Sequence, residues 1–133
     1  MRIGQLATAT GVTTKTLRFY EAEGLLPEPD RTPAGYRDYP ADATGRVAFI
    51  RQAQAAGLTL AQIGQILAIR DHGQPPCQHV AALVDQRLDD VTHRLAELEH
   101  TRDELLALRG RLADLDPADC HDTDICAAIP TRP

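Results

Sequence analysis

The chain has 133 residues, of which 43% are hydrophobic and only 4% aromatic, and it contains no Trp. A chain of this length forms one compact domain, or a small domain with an appended helix. Few runs are aromatic or β-branched enough for a large sheet, so we expect helices packed on helices. No segment approaches the 18 apolar residues of a membrane-spanning helix, so we expect no membrane partner.

Charge is unevenly distributed along the chain. The net charge is −5, but residues 1–75 hold eight basic and seven acidic side chains, whereas residues 76–133 hold six and twelve. The acidity therefore belongs to the C-terminal half, and the N-terminal half can still present basic side chains to a polyanion. The first residues lack the apolar stretch of a signal peptide, which predicts a cytoplasmic protein.

The first forty residues predict two short helices followed by a hairpin. One helix covers residues 3–10, and a second runs from an N-cap at Thr13 to about residue 23. Two short helices joined by a tight turn with a glycine form a helix-turn-helix unit. A Pro-Ala-Gly turn signal at the centre of residues 30–39 then predicts a small hairpin, which would be a wing.

Two more helices and a linker follow the hairpin. Residues 41–56 have apolar side chains on one helical face, and Gly57 ends that helix. Thr59 and Gln62 form a capping-box pattern, which predicts the start of the next helix. Residues 71–77 then form a linker.

The longest predicted element is a helix over residues 78–115. Its apolar positions follow 4-3 spacing and include Val84, Leu88, Val91, Leu95, Leu98, Leu105 and Leu112. At about 1.5 Å per residue such a helix is roughly 55 Å long, so it cannot bury this stripe against a small head. We expect a coiled coil with a second copy of the chain; an intramolecular bundle is the alternative.

Three cysteines frame the long helix. Cys77 precedes it, whereas Cys120 and Cys126 lie in the tail after the helix-ending Pro117. An odd number of cysteines in a reducing compartment argues against a disulfide framework, and thiolates bind Zn²⁺ and softer ions. Because a long helix separates Cys77 from the tail, one chain cannot bring the three cysteines together, so we expect a site that combines Cys77 of one chain with Cys120 and Cys126 of a partner chain.

The segments RIGQLATATGVTTKTLRFYEAEGLL, RTPAGYRDY and FIRQAQAAGLTLAQIGQIL follow one another between residue 2 and about residue 70. In this order and spacing they resemble the MerR family of bacterial regulators, and the long helix and cysteine-bearing tail extend the resemblance over nearly the whole chain. The resemblance implies a mainly α fold: an N-terminal winged helix-turn-helix head (1–70), a linker (71–77), a long antiparallel coiled-coil dimerisation helix (78–115) and a short metal-binding C-terminal loop (116–133).

The resemblance also implies a mode of action. Such regulators bind double-stranded promoter DNA as homodimers and affect RNA polymerase indirectly, by distorting the promoter when an effector binds. A recognition helix reads the major groove through the side chains of its N-terminal half, and the wing contacts the DNA backbone. The predicted DNA contacts are Thr13, Thr14, Lys15, Arg18, Tyr20, Arg31, Tyr36 and Arg37, with Arg18 as the best single candidate.

The resemblance narrows the choice of ion. Members that sense divalent ions have Cys at the position of Cys77, whereas those that sense copper(I), silver or gold generally have Ser, so this chain should sense Zn²⁺, Cd²⁺, Pb²⁺ or Hg²⁺. A histidine at the position of His121 resembles the zinc-responsive members and puts zinc first, although those members often have an adjacent cysteine pair. The predicted metal ligands are Cys77, Cys120, His121 and Cys126.

Other functions remain open at this stage. The main alternative is a thiol-based redox or electrophile sensor of the same family, without a bound metal, in which Cys120 or Cys126 reacts. An iron–sulfur cluster usually needs four clustered thiolates, and only two are clustered here. No nucleophile–base motif, P-loop or GxGxxG motif occurs, so we expect no enzyme.

Overall fold

The computed structural model describes residues 1–120 and 125–129. Their elements in chain order are α1 (Ile3–Thr10), α2 (Thr14–Ala22), β1 (Asp30–Arg31), β2 (Arg37–Asp38), α3 (Ala43–Ala55), α4 (Leu60–Asp71), α5 (Cys77–Asp114) and a 3-10 helix (Pro117–Asp119). The prediction of a mainly α fold with an N-terminal helix-turn-helix and a long C-terminal helix is confirmed. Among the helices of these residues, none combines the length and apolar character that crossing a membrane requires.

The chain divides into two compact units, Met1–Arg87 and Leu88–Pro133. The division falls inside α5, not at the predicted linker. The division into four segments inferred from the sequence therefore stays a prediction.

Local sequence signals build the turn between α1 and α2. Gly11 ends α1 with a left-handed φ of 70°, which glycine adopts without steric cost. Thr13 is extended, and its Oγ1 accepts a hydrogen bond from the backbone N–H of Thr16 at 3.2 Å. The predicted N-cap is thus confirmed, and three residues, 11–13, connect the two helices.

The turn between α3 and α4 depends on a second glycine and a second cap. Thr59 Oγ1 accepts from the backbone N–H of Gln62 at 3.1 Å, and Gln62 Oε1 accepts from that of Thr59 at 2.9 Å, which confirms the capping box. Gly57 has a φ of 91°, and a Cβ at this position would lie 2.5 Å from Nε of Arg87 on α5. The left-handed backbone angle favours glycine at position 57, and a Cβ there would also displace the flexible side chain of Arg87.

The hydrophobic core of the first unit lies among α1 to α4. Helix α1 packs against α2 and α3, and α3 packs against α4. The fully buried side chains of this core are Leu6, Leu17, Val47, Ile50 and Ile63. Tyr20 on α2 and Tyr39, which follows β2, are also buried in this core. The core therefore includes both the helices and the end of the hairpin.

Helix α5 has no buried residue along its 38 residues. The exposed fractions of its predicted stripe lie between 40% and 60% for Val84, Leu88, Val91, Leu95, Leu98, Leu105 and Leu112. Half-exposed leucines at heptad spacing are typical of a helix that lacks its partner. This exposure argues against the intramolecular bundle.

The tail after α5 turns back at a proline. Asp116 Oδ1 accepts a hydrogen bond from the backbone N–H of Ala118 at 3.0 Å and so caps the 3-10 helix that begins at Pro117. Further on, Cys126 and Ile129 form an isolated antiparallel bridge. The tail segment 125–129 is therefore a compact turn.

Candidate nucleic-acid interface and metal centre

Two exposed basic side chains, Lys15 and Arg18, lie on the recognition helix α2. Other arginines of the first unit are engaged in intramolecular contacts. Arg46 forms a bidentate ion pair with Asp71, in which Nη1 lies 2.7 Å from Oδ1 and Nη2 lies 3.0 Å from Oδ2. Nη1 of Arg51 donates a hydrogen bond to the carbonyl of Thr10 at 2.9 Å. Lys15 and Arg18 are therefore the stronger candidates for contact with DNA.

The wing is a two-stranded hairpin with a hydrogen bond across its turn. Arg31 on β1 lies opposite Arg37 on β2 in the strand register, and Nη1 of Arg31 donates a hydrogen bond to the carbonyl of Gly35 at 2.9 Å. Tyr36 at the wing is 56% exposed, and the guanidinium of Arg2 lies 4.5 Å from the centre of its ring. This cation–π contact adds Arg2 to the basic residues near the wing. Sequence reasoning missed Arg2, because the sequence shows only that a basic residue precedes the first helix.

Glu21 connects the recognition helix to the wing. Its Oε1 accepts a hydrogen bond from the hydroxyl of Tyr39, and its Oε2 lies 3.3 Å from Nε of Arg37. Burial, together with the hydrogen bond and negative charge of Glu21, raises the pKa of Tyr39 to about 12. Sequence reasoning missed Glu21, because its partners lie more than fifteen residues away along the chain.

A cleft of about 300 Å³ lies between the recognition helix and the wing. Its lining includes three predicted DNA-contacting residues, Arg18, Arg31 and Arg37. Guanidinium groups suit the oxygens of a phosphate, but Glu21 and Glu28 also line this cleft and offset part of its positive charge. The structure thus brings together basic residues that are up to nineteen positions apart in the sequence.

Two other predicted contacts, Thr13 and Tyr20, have structural roles, and a third, Thr14, is partly buried. Thr13 uses its hydroxyl oxygen to cap α2, and Thr14 is half-buried at the first turn. Tyr20 is only 4% exposed, and its hydroxyl donates to Oε1 of Gln54 on α3 at 3.0 Å. This placement favours a packing role for Tyr20 over the predicted DNA contact.

The predicted metal ligands divide between the two units. Cys77 is the exposed first residue of α5, Cys120 is exposed after the 3-10 helix, and Cys126 is half-buried in the tail turn. All three are free thiols. His121 lies outside the described residues. Free thiols are suitable ligands for Zn²⁺ and softer divalent ions, so the donor chemistry fits the predicted metal.

Among residues 1–120 and 125–129, no three Cys, His, Asp or Glu side chains of one chain are close enough to hold a metal ion. A closed site for such an ion needs at least three ligands. The described residues of a single chain therefore do not complete one.

Two family models match the chain. The model of the MerR HTH family regulatory protein covers residues 1–68, and that of MerR, DNA binding covers residues 44–108. The chain belongs to the MerR family. The matches span the helix-turn-helix, the wing and most of α5, so the family assignment covers both the interface and the long helix.

Relatives within the MerR family are similar over most of the chain. The mercuric resistance operon regulatory protein of Bacillus cereus is 34% identical over 110 residues, 83% of each sequence. A transcription regulator from Ralstonia metallidurans, in complex with lead(II), matches with a TM-score of 0.75 at 38% identity, over 90% of this chain and 94% of that chain. The structure of HiNmlR, a MerR family regulator lacking the sensor domain and bound to promoter DNA, matches with a TM-score of 0.58 at 25% identity. The match covers 85% of this chain and 83% of that chain. These relatives are regulators, which confirms the prediction that the chain is not an enzyme.

Proposed function

We propose that this MerR family member is a metal-responsive transcription regulator. It binds a promoter as a homodimer in the cytoplasm and activates transcription, through RNA polymerase, by distorting the DNA when a divalent thiophilic ion binds at the dimer interface. The observation that carries this proposal is the set of three free thiols, Cys77, Cys120 and Cys126, which do not complete a site within the described part of one chain. Relatives concerned with mercury and lead support it.

The DNA contacts of the proposal centre on the cleft between α2 and the wing. Arg18 and Lys15 supply contacts from the helix, Arg37 and Tyr36 from the wing, and Thr14 and Arg31 are secondary. Contacts to phosphate position a protein on the duplex, whereas contacts to base edges select the sequence. Because Glu21 contacts both Arg37 and Tyr39, the helix and wing should meet DNA as one rigid surface.

The DNA proposal is tested by the salt dependence of binding. The probe is a double-stranded fragment selected from random sequence by the full-length protein. Each phosphate contact contributes about 0.9 to the slope of log affinity against log salt concentration, so Arg37→Ala should lower that slope by about one. Arg94→Ala on α5, at an exposed position outside the apolar stripe, is the matched control. An unchanged slope for Arg37→Ala would remove Arg37 from the interface.

The dimer of the proposal follows from the stripe on α5. Seven large apolar side chains are 40–60% exposed along this helix, and each fully buried Leu or Val contributes about 1.5–3 kcal/mol. Antiparallel pairing with a second copy covers the stripe. It also brings the start of one α5 near the end of the other, so that Cys77 of one chain meets Cys120 and Cys126 of its partner.

The ion of the proposal depends on the number of ligands. Three thiolates suit trigonal Hg²⁺ or Pb²⁺, whereas His121 as a fourth ligand favours tetrahedral Zn²⁺ or Cd²⁺. Zinc remains the first choice because His121 is available in the sequence next to Cys120. When bound, the ion supplies a cross-link between two chains, and the protein's residues supply the ligands that orient each head.

The shared site is tested by mixing two variants. Cys77→Ser protein and Cys120→Ser/Cys126→Ser protein each lack part of every site, so neither homodimer should retain the ion. A heterodimer of the two carries one complete site, and should bind half the wild-type amount of Zn²⁺ per dimer. Titrations of the wild-type protein with Cd²⁺, Pb²⁺, Hg²⁺ and Cu⁺ measure the affinity for each ion and the promoter transcription that each ion induces. No recovery in the heterodimer would show that the site is not shared, and a stronger response to Cu⁺ would contradict the divalent assignment.

The second candidate function is a thiol-based redox sensor on the same DNA-binding head. The exposure of Cys77 and Cys120 favours it, since accessible thiols are open to oxidation. Under reducing conditions, such a sensor retains no ion and changes transcription only when an oxidant such as hydrogen peroxide is added. Stoichiometric metal retention that Cys→Ser substitution abolishes would exclude this second function.

A further inference from the structure

A single arginine holds the tail turn against the last turns of α5. Nε of Arg111 donates a hydrogen bond to the backbone carbonyl of Ala128 at 3.3 Å. Ala128 is 3% exposed, and it is the only buried residue that the structure describes between Leu88 and Ile129. The contact therefore lies at the only buried residue that the structure describes in this unit.

The turn that Arg111 holds begins at Cys126. The backbone N–H of Ile129 donates to the carbonyl of Cys126 at 3.1 Å, which is the hydrogen bond between the first and fourth residues of a β-turn. Ile129 also lines a groove of about 470 Å³ on α5, beside Leu105, Leu108 and Arg111. One polar and one apolar contact thus connect the Cys126 turn to the helix.

We propose that Arg111 is a positioning residue for the metal centre: its guanidinium holds the Cys126 turn on α5, so that this thiol is preorganised for the ion. The proposal rests on the proposed function, in which Cys126 is a ligand. A segment that is already ordered loses less conformational freedom when it binds. Groups that orient metal ligands typically change affinity 10–100-fold when they are removed.

The location of Arg111 offers a second explanation that the test must separate. A cation in the last turn of a helix interacts favourably with the helix dipole, so its loss could weaken α5 without any effect on Cys126. Arg111→Lys keeps a positive charge at the helix end but lacks the guanidinium Nε that donates to Ala128, so it separates the effect of the helix dipole from the effect of the tail contact.

The experiment uses the full-length protein with Cd²⁺ as the probe. Cd²⁺ affinity is measured by competition with a chelator, and bound thiolates are followed by sulfur-to-cadmium charge-transfer absorption. Amide hydrogen exchange is read over residues 125–129. Arg111→Gln should weaken Cd²⁺ binding about tenfold, lower the charge-transfer absorption at saturation and speed exchange in the turn. Arg111→Lys, which keeps the charge but not the planar guanidinium group, should recover only part of the affinity, and hydrogen exchange in the turn should stay faster than in wild type.

The outcomes separate this inference from the function on which it rests. If Cys126→Ser loses Cd²⁺ while Arg111→Gln binds it within twofold of wild type, Cys126 is a ligand and only the role of Arg111 is wrong. If Arg111→Lys restores wild-type affinity while exchange in the turn stays fast, the effect belongs to the charge at the helix end and the inference is overturned. If Cys126→Ser binds Cd²⁺ like wild type, the proposed metal site itself falls, and the inference with it.

Discussion

The two compact units of this protein bury their apolar side chains in different ways. In Met1–Arg87 the leucines and isoleucines of four short helices meet around Leu6, Leu17, Ile50 and Ile63, all essentially inaccessible to solvent. In the second unit, Ala128 is the only buried residue that the structure describes, and α5 keeps its leucines half-exposed. The first unit has a hydrophobic core of its own, whereas α5 of the second unit could bury its apolar stripe only against another surface.

This difference has a functional consequence for a MerR family regulator. A head with its own core holds the recognition helix and wing in a fixed geometry whether or not an effector is present. In the proposed homodimer, α5 would pair with a second copy and connect two such heads, so a change in the pairing of the helices would change the spacing of the heads. An ion held by both chains would act at this point.

The largest effect should come from a charge in the α5 stripe. In Leu95→Glu, pairing of the helices would bury a carboxylate without a partner, at a cost of several kcal/mol, and a dimer carries two copies. We expect the dimer to dissociate in analytical ultracentrifugation. Ala96→Glu, one residue along and off the stripe, adds the same charge and should leave the dimer intact. A dimeric Leu95→Glu protein would contradict the coiled-coil assignment.

A cavity in the head should have the next largest effect. Ile63 on α4 is fully buried, and truncation of such a side chain to Ala typically lowers the free energy of unfolding by about 2–5 kcal/mol. Urea denaturation followed by circular dichroism measures the loss. Ile69→Ala on the same helix, at a half-buried position, is the control and should cost clearly less. Equal losses would mean that the head core does not extend to α4 as described.

A smaller loss is expected at the turn between α3 and α4. Ala at position 57 would have to adopt a φ of 91° and displace the side chain of Arg87. The left-handed backbone costs a non-glycine residue about 1–2 kcal/mol, and the flexible arginine can move away. Gly57→Ala should lower thermal stability accordingly, whereas Gly45→Ala inside α3, where a Cβ meets nothing, should stabilise the helix slightly.

The smallest effect concerns an ion pair between α3 and α4. The pKa of Asp71 lies below its usual range, mainly because Arg46 donates a hydrogen bond to its carboxylate. A depressed pKa contributes stability that is fully present above the unfolded-state pKa, about 3.9, and is lost as pH falls through the folded-state pKa. Because Asp71 is half-exposed, the contribution should be about 1 kcal/mol or less. Asp71→Asn should flatten the loss of stability below about pH 4, measured by urea denaturation at several pH values.

Much of this fold could be predicted because its signals are local. Gly11 and Thr13 end one helix and begin the next within three residues, and the Thr59–Gln62 capping box starts α4 where the sequence indicates. The 4-3 spacing on α5 predicts both its length and its exposed stripe. Each of these patterns acts between residues that are at most a few positions apart, so a single sequence contains them in full.

The candidate site could be predicted only in part. The sequence identifies the cysteines and the basic residues, but it does not say which arginines are occupied by partners in the fold. It also places Tyr20 among the DNA contacts, whereas the structure packs that side chain in the core against Gln54. The difference arises because a tyrosine on a short amphipathic helix suits either face until the neighbouring helix is known.

The sequence by itself determined the order of the elements, the caps between them, the family and the residue types available for DNA and metal. Only the tertiary structure decided that Glu21 joins the recognition helix to the wing through Arg37 and Tyr39, and that Arg111 holds the turn of Cys126. These contacts join residues sixteen or more positions apart, and no local pattern records them. Such a contact exists only once the packed helices and the folded tail have brought donor and acceptor together.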